Sequence, residues 1–237
     1  MVLIHAENQS FSALNEAIRT AGACCRITGC LGHRFIASGM RDCTIEIDGI
    51  PGNALGAYLN GATITVNGNA VGDTMNDGRI VIHGNIGDAA GYAMRGGELY
   101  IQGNAGYRAG IHMKAYKEKK PVIVIGGRAG SFLGEYQAGG LIVVLGLHRD
   151  GKPIVGNFPC TGMHGGKMVL RGDASAVQLP ERTNRHSATT EDMAELRPVI
   201  EQFCTLFGYS SEKLLHDDYT VITPDSKNPY KQMYVAN

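Results

Sequence analysis

The sequence has 237 residues, enough for one long domain or two short ones around a sizeable core. Lys+Arg and Asp+Glu each total 22, and this zero net charge excludes a nucleic-acid or membrane-surface role driven by bulk charge. Glycine is the outlier at 33 residues, and its lack of a three-residue period, with β-branched runs between, excludes collagen and disorder.

The opening MVLIHAENQS has no basic region followed by an apolar stretch, and no window of the chain reaches transmembrane length. The cysteines at 24, 25, 30, 43, 160 and 204 show no Cys-x-x-Cys pairing, so a reduced, cytoplasmic protein is expected. Residues 1–23 read as an N-terminal cap segment.

From Cys24 the chain becomes periodic. Glycines close successive runs at Gly29, Gly49, Gly68, Gly84, Gly103, Gly127, Gly146 and Gly172. Two and four residues before them stand Cys25/Ile27, Ile45/Ile47, Ile64/Val66, Ile80/Ile82, Leu99/Ile101, Ile123/Ile125, Ile142/Val144 and Met168/Leu170. All are apolar, and a period of two marks one face of a strand. Repetition at near-constant spacing predicts an all-β fold over 24–173, a right-handed parallel β-helix built as a single-stranded solenoid of about eight coils. At roughly 4.8 Å per coil the rod would be about 40 Å long. A β-sandwich of glycine-rich hairpins is the alternative. It would rarely keep one register over eight copies. A left-handed helix of six-residue period does not fit the spacing.

The closing glycines are expected to turn the chain sharply and let neighbouring coils approach. Asn69, Asn85 and Asn104 follow three of them and suit turns and inter-coil ladders. Further corners are marked by Gly56, Gly72, Gly87, Gly91, Gly106, Gly110, Gly130 and Gly134.

Two features of the repeat read as contact sites. The long interval between Gly103 and Gly127 holds KAYKEKK, residues 114–120, which should bulge outward and present Lys114 and Lys117. A solvated loop is the plain alternative. The outward position three residues before each anchor reads Thr65, Val81, Tyr100, Val124, Val143 and Val169 from the third coil on. An apolar outward ladder needs a cover, either a partner subunit or the C-terminal helix, and the tethered helix is preferred.

That helix is expected over 190–207, with Thr190 as N-cap, acidic Glu191 and Asp192 in the first turn, and Gly208 as the stop. Met193, Leu196, Ile200, Phe203 and Phe207 form its apolar stripe, with Pro198 inside. Residues 174–237 thus read as a helical and extended tail, its last stretch YTVITPDSKNPYKQMYVAN ordered against a partner.

Chemistry is scarce. Cys24, Cys25 and Cys30 are poorly spaced for an iron–sulfur cluster, and Cys25 falls on an inward position. Histidines 33, 83, 112, 148, 164 and 186 are scattered without metal-ligand spacing. The glycine loops lead into more strand rather than a helix start, so they do not read as phosphate cradles.

The phrase G-N-x-G-x-x-x-G, preceded by [ILV]-x-[ILV]-x-G, resembles the glycine-repeat domain that ends the large subunit of glutamate synthase. It is similar also to a subunit of formylmethanofuran dehydrogenase. PERTNRHSATTEDMAELRPVIEQF resembles the segment after the repeat in stand-alone subunits of the first type. The resemblance implies a β-helix that braces a glutaminase against an FMN and iron–sulfur synthase and supplies no catalytic side chain. Class-II glutaminases use an N-terminal cysteine, and this chain begins Met-Val. The expectation is a structural subunit that binds no cofactor or metal, with FMN and iron–sulfur clusters on protein partners and no nucleic acid or membrane. The alternatives are a scaffold in a formylmethanofuran-dehydrogenase-like complex and a small enzyme with a groove site, which would want an outward Asp/Glu row that the repeat lacks.

Overall fold

Every inward position of the repeat finds its counterpart on the next coil. In the computed structural model, which describes residues 1–70 and 74–225, the strands are β1 (Val2–His5), β2 (Cys24–Leu31), β3 (Thr44–Ile50), β4 (Leu59–Asn67), β5 (Met75–Ile82), β6 (Glu98–Ile101), β7 (Val122–Ile125), β8 (Ala138–Val144) and β9 (Gly165–Arg171). They pair in parallel in sequence order. Ile27 faces Ile47, then Val66, Ile82, Ile101, Ile125, Val144 and Leu170 down the stack. The sixteen inward residues are at most 1% exposed. The eight expected rungs are β2 to β9, which bound seven turns of a solenoid. β1 adds a rung before them, with Ile4 opposite Ile27.

The N-terminal segment is more than a cap. After β1 comes α1 (Phe11–Ala21), started by Ser10, whose side chain accepts from the Ala13 N–H, and stopped by Gly22. Leu14 and Ile18 close the open end of the inner core. Asn15 fastens the helix to the first corner, donating to the Phe35 carbonyl and accepting from the Ala37 N–H.

The anchor glycines divide between two demands, positive φ at Gly29, Gly49, Gly146 and Gly172 and close approach at the rest. Gly68, Gly84, Gly103 and Gly127 lack positive φ, yet a Cβ there would collide with the preceding coil. Above the last three, the obstacle includes the asparagine ladder. Asn69 Oδ1 accepts from the Asn85 N–H (2.7 Å), Asn85 from Asn104 (2.7 Å) and Asn104 from Arg128 (2.8 Å). Gly49 combines both demands, with φ 136° and the Cys30 carbonyl in the way of any Cβ. Gly72 lies outside the described residues.

A second core sits outside the coils. The outward ladder Val81, Tyr100, Val124, Val143 and Val169 is buried, and the cover is the chain's own. From Tyr100 on, the ladder packs with Leu196, Ile200, Phe203 and Cys204 of α2 (Thr190–Phe207) and Leu214 of α3 (Ser211–Leu215). Where no helix lies over the sheet, the same outward face is polar. Arg26 pairs with Asp48 (2.6 Å), and Asn67 donates to Asp48 (2.9 Å). The N-cap is Thr189 rather than Thr190. Its extended backbone lets its hydroxyl accept from the Asp192 N–H while Asp192 accepts from the Thr189 N–H, a reciprocal pair that Thr190, already helical, cannot make.

The sheet ends antiparallel. β11 (Tyr219–Pro224) lies between β9 and β10 (Thr183–Ser187), with Val221 in the outer core and Ile222 in the inner one. The stretch beginning YTVITP is therefore ordered by this chain and not by a partner, because its alternating side chains fill both cores. Residues 226–237 lie outside the described residues.

Candidate interaction surfaces

The buried thiols are structural. Burial pushes Cys25 and Cys30 up to about 11 and Cys160 up to about 12, well away from thiolate reactivity. Among the described residues no group of three His, Cys, Asp or Glu side chains is placed to hold a metal ion. No helix among them is long and apolar enough to cross a membrane.

The expected contact residues fall into two groups. Val81, Tyr100, Val143 and Val169 are buried beneath the chain's own layers and present nothing to a partner. Lys114 and Lys117 are exposed. Residues 116–119 form a tight turn in which Tyr116 and Lys119 exchange backbone hydrogen bonds (both 3.1 Å) and the Lys117 ammonium lies 5.4 Å from the Tyr116 ring. Lys119 is tied back to Asp77 (2.7 Å), and its hydrogen bond holds that carboxyl below its ordinary range. The neighbouring groove, lined by Thr63, Asp77, Arg79, Glu98, Lys119 and Lys120, has a second internal pair, Arg79–Glu98 (2.6 Å). Its charges are largely spent on each other.

At the N-terminus of α2, Lys167 bridges Asp192 (2.7 Å) and Glu195 (2.8 Å), and His186 lies 3.0 Å from Asp192. Burial opposes the Asp192 charge, but hydrogen bonds from Lys167, the Thr189 backbone and His186 outweigh it and hold the carboxyl well below its usual range. This cluster fastens α2 to β9 and β10. It is an anchor.

A corner of the solenoid carries what the repeat pattern did not disclose. Arg108, His112, Phe132, Tyr136 and Phe158 all have φ between 55° and 59°, a left-handed conformation costing about 1 kcal/mol or more for a non-glycine residue. Their rings stack coil upon coil. Phe132 lies 5.3 Å from Tyr107 and 5.2 Å from Phe158, while His112 lies parallel to Tyr136 at 5.1 Å. The Arg108 guanidinium sits 4.8 Å from the Tyr107 ring and pairs with buried Glu135 (2.7 Å). Tyr92, Tyr107, Tyr136 and Phe158 remain between 38% and 58% exposed. The available signal was an aromatic residue recurring beside the corner glycines.

A protein of Methanocaldococcus jannaschii described as uncharacterized is 46% identical over 218 residues, 87% of this chain and 84% of its own length. A chain of the formyltransferase/hydrolase complex of Methylorubrum extorquens, solved with methylofuran, superposes with a TM-score of 0.61 at 19% identity, covering 91% of this chain and 88% of that one. At that identity the likeness is one of fold. The model of the GXGXG motif family matches residues 4–227, and the chain belongs to that family.

Proposed function

We propose that this chain is a non-catalytic scaffold subunit of a multi-subunit oxidoreductase of glutamate-synthase type. It would brace a glutaminase-like subunit against one carrying FMN and iron–sulfur clusters, and bind neither cofactor itself. The observation that supports this most is how the polar side chains are spent. They form the asparagine ladder, the groove pairs and the α2 anchor, all of which hold coils or helix in place. A stiff rod with two cores suits a bracing part. A scaffold in a C1-transferring complex is the second reading, favoured by the fold shared with the formyltransferase/hydrolase chain.

Purification of the native protein under mild conditions tests both. Co-purifying subunits with flavin absorbance and glutaminase activity are expected, with the isolated chain showing neither. Flavin retained by the isolated chain after gel filtration would overturn the scaffold reading. A molybdenum- or tungsten-containing partner without flavin would select the second.

A further inference from the structure

The aromatic corner stacks coil upon coil, yet the fold leaves much of it uncovered. Tyr136 and Phe158 face solvent from left-handed backbone positions, where asparagine or glycine would serve the turn better, and Tyr92 and Tyr107 are exposed beside them. We propose that this corner is a self-association surface, on which a second copy of this chain seats its own corner about a two-fold axis.

Size is the first argument. Tyr92, Tyr107, Tyr136 and Phe158 together expose about 400 Å² of residue surface, half of the roughly 800 Å² that each partner gives to a standard interface. Exposed His112 and half-buried Arg108 lie within the same strip and add to it.

Charge is the second. Glu135 already answers Arg108, so the strip offers little net field to a nucleic acid or a strongly acidic surface. What it does offer is mixed, with tyrosine hydroxyls, guanidinium N–H groups and the carboxylate of Asp88, whose Oδ1 accepts from the Tyr107 N–H (2.7 Å). A two-fold interface requires one surface to be its own complement, and a strip holding both donors and acceptors meets that condition.

Spacing is the third. The rings succeed one another at 5.1 to 6.0 Å, set by the stacking of the coils. A facing surface interlocks with every ring only if it has the same repeat, and another copy of this solenoid has it by construction.

Sedimentation of the full chain at roughly 10–100 μM, above the Kd expected of a standard interface, tests the proposal. The wild type should run at twice 25.3 kDa. The double variant Tyr136→Asn, Phe158→Asn should run at the single-chain mass with an undiminished melting temperature, because asparagine accepts the left-handed conformation. Should that variant misfold, Tyr92→Ser, outside the left-handed positions, gives the same comparison. A wild type at the single-chain mass would overturn the proposal and leave the corner to a different subunit. Folded variants that stay at twice the mass would overturn it equally.

Discussion

Phe203→Ala should release α2 from the sheet without dissolving the coils beneath. Phe203 is fully buried, its ring 4.8 Å from Phe207 and stacked at 5.7 Å on Tyr209. It seats over Gly126, where a Cβ would come within 2.7 Å of its Cζ. Losing about 150 Å² of buried ring at ~25 cal/mol per Å² gives about 4 kcal/mol, matching the usual cost of about 3–5 kcal/mol for a buried Phe→Ala change. That loss should fall on the outer core, since Phe203 touches none of the inner one. The chain carries its own reporters, Cys204 in the outer core and Cys160 in the inner. In peptide-resolved alkylation, Cys204 should label about 100- to 1,000-fold faster in the variant, at 1.4 kcal/mol per tenfold. Cys160 should keep its wild-type rate. If both accelerate together, the two cores open as one unit and the reasoning fails. An unchanged Cys204 rate would refute the worked magnitude.

Gly49→Ala should cost about 2–4 kcal/mol by thermal melting, since φ 136° and the Cys30 carbonyl both reject a Cβ. Asn85→Ala should cost about 1 kcal/mol and speed hydrogen exchange at the Asn104 amide, whereas Asn85→Asp should retain the acceptor and most of the protection. Asp192→Asn should destabilise by about 1–3 kcal/mol near neutrality through the weakened cap and ion pairs. Because the folded carboxyl is held below its unfolded value, its contribution is complete above about pH 4 and fades as pH falls further. Melting temperatures across that range should therefore fall more steeply for wild type than for Asp192→Asn, and parallel curves would contradict the assignment.

The coil register was legible because each inward pair must be apolar, and a slip of one residue would turn Ile45 and Ile47 out to water. The apolar ladder likewise announced a cover, since it turns from Thr65 to Val81 as the sheet passes under the outer layers. β1 escaped because a single short run such as VLIH carries no repeat of its own. β11 escaped because its partner strands, β9 and β10, lie on either side of it only in space. The aromatic corner was hidden more deeply. Left-handed backbone is normally signalled by glycine or asparagine, and here Phe132, Tyr136 and Phe158 occupy it with no local preference for doing so. The hydrogen bonds of the stacked corners, such as His112 N–H to the Glu135 carbonyl (2.9 Å), impose that conformation from the neighbouring coil.

The antiparallel seam at β11 bears on how the rod ends. A stack of parallel coils is an open-ended polymerisation template, since each rung offers the next one a full row of backbone donors and acceptors. Fibril growth by addition of whole molecules would need the last rung of one chain to accept the first rung, β1, of another in the same sense. β11 fills that row on β9 in the opposite sense, and the polar, exposed TNRHS strand beyond it is a poor continuation. Head-to-tail growth requires both ends, so sealing one is sufficient. Removing β11 would bare the β9 row, while α1 would still close the far end of the core, so the rod would gain one open end and not two.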